Sequence, residues 1–214
     1  AFGIAAALFE PSRPGKGQVI DAAMVDGSAS LISGLLGMKA MGFFSQPRGE
    51  NMIDSGAPFY DVYETKDGRY MAVGSIEPQF YALLVKLAEL DPELFAKQMN
   101  PAKWPAQKAA LTEKFKSKTQ AEWTAIFMDE DACVTPVLTL EEATALPHNV
   151  ERGLYADHDG VLHQAPAPRF SRTPGSVANP PPARGQDTLM VLKDAKFSDA
   201  EIQALADQGL INTA

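Results

Sequence analysis

The stretch from Phe59 to Gly74 limits the fold more than any other part of this sequence. Phe59-Tyr60-Asp61-Val62-Tyr63-Glu64 and Tyr70-Met71-Ala72-Val73-Gly74 are short runs of aromatic and β-branched residues, separated by Lys66-Asp67-Gly68-Arg69. Such runs flanking an Asp-Gly turn predict an antiparallel hairpin. Glu77-Pro78 then opens a helix with Phe80, Leu83, Leu84, Leu87 and Leu90 on one apolar face. Proline suits a first helical turn.

The flanks read less sharply. Ala1 to Phe9 is a continuous apolar run with no capping residue ahead of it. It reads as a helix cut in its middle, and the chain as the C-terminal part of something longer. A signal peptide is the rival reading, but no basic region precedes the run, and nine apolar residues are too few to span a bilayer. Pro11 stops that helix near Glu10, and Pro14-Gly15 makes a turn. Gly15-Lys16-Gly17 lacks the Ser or Thr that a phosphate loop needs after its Lys, so it reads as a glycine turn. Gln18 to Ala22 predicts a short strand. Asp26 to Phe44 predicts a buried helix, with Leu31, Ile32, Leu35, Leu36 and Met38 at helical spacing among small residues. Pro47 to Pro58 reads as a linker.

Beyond Asp91, helices are expected at Trp104 to Lys116 and Gln120 to Met128, and a strand at Val134 to Leu138. Thr139 with Glu142, and Ser198 with Glu201, form capping boxes. Phe197 can staple onto Ile202, and Gly209 closes the last helix. A polar hairpin is expected between Leu154 and Phe170 around Asp159-Gly160. Six prolines from 166 to 182 mark an extended segment.

Composition narrows the class of function. The chain has 214 residues, is 45% hydrophobic and carries a formal net charge of −8. This is a globular chain and not a disordered one. The negative balance argues against nucleic acid or an anionic membrane as partner. A single cysteine, Cys133, excludes an internal disulfide framework and points to a reducing, cytoplasmic location.

Several catalytic templates are missing, including His-Glu-x-x-His, Gly-x-Ser-x-Gly and Gly-x-Gly-x-x-Gly. Asp157-His158-Asp159 with His163 offers metal-ligating residue types, yet it sits at an expected hairpin tip, and no metal is expected. Cys133 reads as a packed thiol beside a strand, and Asp129-Glu130-Asp131 as a solvated turn. Glu77 is the carboxylate in an unusual place, between an apolar strand and an amphipathic helix. It either caps that helix or faces substrate; spacing alone favours the cap.

Taken together, several segments resemble the family III CoA-transferases, and within them the branch that racemises α-methylacyl-CoA esters. The carriers are Arg13 to Ala22, Pro47-Arg48-Gly49-Glu50-Asn51-Met52, Gly56 to Tyr60, and above all Asp67 to Tyr81 with its Ile76-Glu77-Pro78-Gln79-Phe80-Tyr81 run. Asp131 to Val137, His148 to Gly153 and Ser198 to Ile202 follow in family order. The resemblance implies an α/β fold with a mixed α+β small lobe, in an interlocked ring-shaped homodimer, lacking here the Rossmann-like segment that grips CoA. It divides the chain into a remainder of the large domain (1–46), a linker (47–58), a small domain (59–140), a return linker and hairpin (141–187), and C-terminal helices returning to the large domain (188–214). It also implies an acyl-CoA substrate, no separate cofactor, and a catalytic His and Asp ahead of Ala1. Glu77 matches the glutamate that hydrogen-bonds the catalytic histidine of the partner chain; no histidine present matches the catalytic one. CoA-binding residues are not identified.

Three readings remain. One is racemisation of 2-methyl-branched acyl-CoA thioesters through an enolate-like intermediate. A second is acyl-CoA transfer through an aspartyl anhydride. The third is a non-catalytic fragment that only pairs with a partner chain, its apolar N-terminal helix an exposed patch.

Overall fold

The computed structural model describes residues 1–10, 15–45, 47–158, 160–177 and 182–212. The expected turns at Pro14 and at Asp159 lie outside them. The chain forms two compact units, Ala1–Val137 and Leu138–Ala214.

The first unit is organised by the expected hairpin. Strand β1 (Tyr60–Glu64) pairs antiparallel with β2 (Tyr70–Gly74), and β3 (Val134–Pro136) joins the other side of β2. The loop closes with Thr65 N–H donating to Arg69 C=O at 2.8 Å and Gly68 N–H to Thr65 C=O at 3.0 Å. Gly68 has φ +72, a left-handed value that a residue without Cβ adopts at low cost.

Alternation along the strands gives the sheet two unlike faces. Tyr63, Met71, Val73 and Val134 point inward and are buried. Against them pack α4 (Pro78–Leu87), α6 (Trp104–Phe115) and α7 (Gln120–Phe127), which contribute Leu84, Leu111, Phe115, Trp123 and Phe127 to one core. A short α5 (Pro92–Phe95) and a 3₁₀ turn (Pro101–Lys103) connect α4 to α6. Aromatic rings dominate: Tyr63 stacks on Phe115 at 5.2 Å, and Phe59 meets Tyr81 and Trp104 edge-on at 5.8 and 6.0 Å. Each such pair adds about 0.5–1.5 kcal/mol beyond its buried area. The Tyr63 hydroxyl donates to Pro58 C=O at 2.5 Å; burial, then the nearby Asp61 charge, hold that phenol well above its ordinary range.

Ahead of this core, α1 (Phe2–Phe9), α2 (Met24–Leu31) and α3 (Ser33–Ala40) bury no residue. The expected single buried helix from Asp26 to Phe44 is therefore two exposed ones. Ile32 breaks it with φ −87 and ψ 0, where the Ser33 hydroxyl donates to Ser30 C=O at 2.8 Å and competes with the helical ladder. The strand expected at Gln18 to Ala22 is irregular, because a strand needs a partner and none pairs with it among the described residues.

The second unit holds α8 (Leu140–Ala145), α9 (Pro147–Glu151), the hairpin β4 (Tyr155–His158) and β5 (Val161–Gln164), and α10 (Thr188–Asp194) followed by α11 (Asp199–Asp207). Both expected capping boxes are present, Thr139 with Glu142 and Ser198 with Glu201. Residues 165–177, within the proline-rich segment, form no helix or strand. Among the described residues no helix is long and apolar enough to cross a membrane.

Candidate functional site

The outer face of the sheet carries Tyr60, Val62, Glu64, Tyr70, Ala72 and Thr135, and all of these but the half-buried Ala72 are exposed. Val62 is 52% exposed and Tyr60 39%. A groove of about 500 Å³ runs over it, with Ile53 and Ser55 at one side and Cys133 at the other. Glu77 stands beyond the end of β2, on the link between that strand and α4.

Three interactions fix this link. Ser75, fully buried, donates its hydroxyl to Ala132 C=O at 2.6 Å. The Gln98 side-chain amide donates to the carbonyls of Ile76 at 2.7 Å and Ser75 at 3.2 Å. The Trp104 indole N–H in turn donates to Gln98 C=O at 2.8 Å. Glu77 itself has extended backbone, φ −69 and ψ 144, and makes no side-chain cap bond to α4. The cap reading thus gives way: its carboxylate is exposed and the first turn of α4 goes without it.

Cys133 lies beside this carboxylate. It is exposed, with φ +52, and so is not the packed thiol expected from its apolar neighbours. Partial burial, then the negative charges of Asp131 and Glu77, push its thiol up. At neutral pH it is protonated and a poor nucleophile. Asp129, Glu130 and Asp131 are exposed after α7, as a solvated turn should be.

A second concavity of about 690 Å³ lies in the same unit, between the end of α3 and the start of α6. Met38, Phe43, Phe44, Met52, Met99 and Trp104 make its apolar wall. The loop that closes it is held by polar contacts. Asp54 accepts from Asn51 N–H and Asn51 Nδ2, each at 2.7 Å, and Asn51 exchanges bonds with the Ser45 backbone at 2.7 and 2.9 Å. Gly56 belongs to this loop for a steric reason: a Cβ there would stand 2.4 Å from Asn51 C=O.

The three histidines, His148, His158 and His163, all lie in the second unit. The rings of His158 and His163 meet edge-on at 6.3 Å across β4 and β5. Among the described residues no three His, Cys, Asp or Glu side chains stand close enough together to hold a metal.

The comparisons with known proteins decide the family. The sequence model of CoA-transferase family III matches residues 1–188. The chain belongs to CoA-transferase family III. Within that family it is 48% identical over 213 residues to the alpha-methylacyl-CoA racemase of Mus musculus, covering 99% of this chain and 56% of that protein. The human protein of the same name is 44% identical over 215 residues, covering all of this chain and 56% of its own. The chain thus spans a little over half the length of these relatives. A crystal structure of a CaiB/BaiF family protein from Brucella suis superposes with a TM-score of 0.68 at 22% identity, over 90% of this chain and 52% of that one. That likeness shows the fold alone: the α/β family fold expected from the resemblance.

Proposed function

We propose that this chain forms part of a racemase of 2-methyl-branched acyl-CoA thioesters. The observation that carries the reading is Glu77, an exposed carboxylate free of any cap bond, which follows two residues, Ser75 and Ile76, tied by hydrogen bonds to Ala132 and Gln98, in a chain 48% identical to a racemase. A thioester acidifies the hydrogen on the neighbouring carbon. A base on one face takes that proton, the electron pair moves into an enolate, and an acid on the opposite face returns a proton with inverted configuration. Nothing is oxidised or reduced, so no separate cofactor is required.

The acid–base pair, a His and an Asp, comes from outside these 214 residues. Glu77 accepts a hydrogen bond from that histidine in a partner chain, orienting the ring and raising its basicity. The exposed outer face of the sheet is where the partner's large lobe rests in an interlocked homodimer. The Met- and Phe-lined cavity takes the acyl chain, since flexible thioethers adapt to varied apolar shapes. A lone cysteine fits a cytoplasmic setting.

Aspartyl-anhydride transfer is the competing chemistry in this family, and the racemase relatives weigh against it. The test is α-deuterium incorporation into 2-methyldecanoyl-CoA in D₂O. It is run with this chain alone, and with the portion of the mouse relative that lies outside the match. Exchange only in the mixture supports the reading. Exchange by this chain alone puts the base among these residues, and acyl exchange onto a carboxylic acid without α-exchange makes it a transferase.

A further inference from the structure

We propose that Gln98 is the positioning residue for Glu77, tying that carboxylate to the wall of the apolar cavity. The inference rests on the role given to Glu77 above, but its geometry stands apart from the reaction. The link Ser75-Ile76-Glu77 has two carbonyls that strand β2 and helix α4 leave unpaired, and one amide side chain serves both. Gln98 reaches them from 22 residues away in sequence, beyond the end of α5. Its own carbonyl is gripped by the Trp104 indole, and Trp104 and Met99 line the cavity. A shift of the cavity wall therefore moves the amide that sets the backbone of Glu77. On the far side, the Ser75 hydroxyl holds Ala132, so the segment carrying Asp131 and Cys133 is registered against the same link.

That register supplies a reporter inside the protein. Cys133 is the one cysteine of the chain, it is exposed, and the charges that act on it are those of Asp131 and Glu77. The rate of its alkylation by iodoacetamide at fixed pH below its titration follows the thiolate fraction, and hence the nearness of Glu77. Glu77→Gln should speed the reaction about threefold, as expected for loss of one nearby charge partly screened by water.

The proposal expects Gln98→Met to speed it at least about twofold, with the Glu77→Gln, Gln98→Met double variant no faster than Glu77→Gln alone. That non-additivity separates positioning of Glu77 from general loosening. Trp104→Phe, which keeps the ring and removes the indole N–H, should give a smaller change of the same sign and guards against a Gln98 variant that fails to fold. Wild-type rates in both Gln98→Met and Trp104→Phe overturn the proposal, as do single-variant effects that multiply in the double variant. An unchanged rate in Glu77→Gln overturns it too, because the carboxylate then exerts no charge effect on the thiol. The measurement uses no substrate, so failure here and failure of deuterium exchange are separate results.

Discussion

Asp67 turns the tip of a hairpin into a joint between elements. Its carboxylate accepts from the Thr65 hydroxyl at 2.5 Å and from the Gln120 N–H, at the start of α7, at 3.1 Å. The bond from Thr65 does most to hold the group below its ordinary value of 3.8, helped by Gln120. A carboxylate with a lowered folded value contributes stability above its unfolded value and loses it as pH falls through the folded one. The urea midpoint of the wild type should therefore drop further between pH 5 and pH 3 than that of Asp67→Asn; parallel curves would remove Asp67 from the balance. Glu77 makes the matching prediction for activity. In the complete enzyme Glu77→Gln should lower kcat about 10- to 100-fold, the range that removing the carboxylate partner of a metal-bound histidine sets by analogy, and leave KM nearly unchanged. Equal kcat would take Glu77 out of the mechanism.

At the scale of elements, helix endings show where strain is tolerated. Helix α4 ends with Glu89 N–H on Lys86 C=O at 3.1 Å and Leu90 N–H on Val85 C=O at 2.9 Å. This paired closure needs a left-handed residue, and Glu89 fills it at φ +48. Lys196 does the same after α10 at φ +69, whereas α11 uses Gly209 at φ +67. A side chain in that region costs about 1–2 kcal/mol, and glycine gives back part of that as unfolded-state entropy. Glu89→Gly should raise stability by about 0.5 kcal/mol, even with loss of the exposed ion pair to Lys114. A lower urea midpoint in that variant would mean the closure is unstrained.

The same helices show what could be read in advance. Hairpin turn, capping boxes and the Gly209 stop are local, so their residues announce them within a few positions. The closures at Glu89 and Lys196 carry no such mark. Nor does the break at Ile32, where the Ser33 hydroxyl donates to the carbonyl of Ser30, three residues back. Glu77 was visible as a residue, through its place between strand and helix, but its support was not. Ser75 reaches Ala132 across 57 residues and Gln98 reaches Ile76 across 22, and no periodicity encodes a hydrogen bond between distant loops. Cys133 misled because its neighbours Ala132 and Val134 are buried while it stands exposed at a left-handed turn between them.

For the whole molecule, the telling feature is how unevenly the apolar residues are buried. The core of the first unit comes from residues 57–134, while Phe2, Leu8, Phe9 and Leu31 are each more than 80% exposed. A monomer rarely leaves so many large apolar side chains in water, because each such side chain buried elsewhere gains about 1.5–3 kcal/mol. In a family whose proposed working form is an interlocked dimer, that surface has a natural destination against another lobe. Two consequences follow for this chain in solution. It should self-associate at micromolar concentration and bind a dye such as anilinonaphthalene sulfonate, and the triple variant Phe2→Ser, Leu8→Ser, Phe9→Ser should do both less. Its urea midpoint should stay at the wild-type value, because α1 buries no residue and the core does not use it. A fall in the midpoint would show that α1 does pack on the core. If the variant associates as strongly as the wild type, the sticky surface is instead the open face of the sheet, and Val62→Lys becomes the substitution that should disperse it.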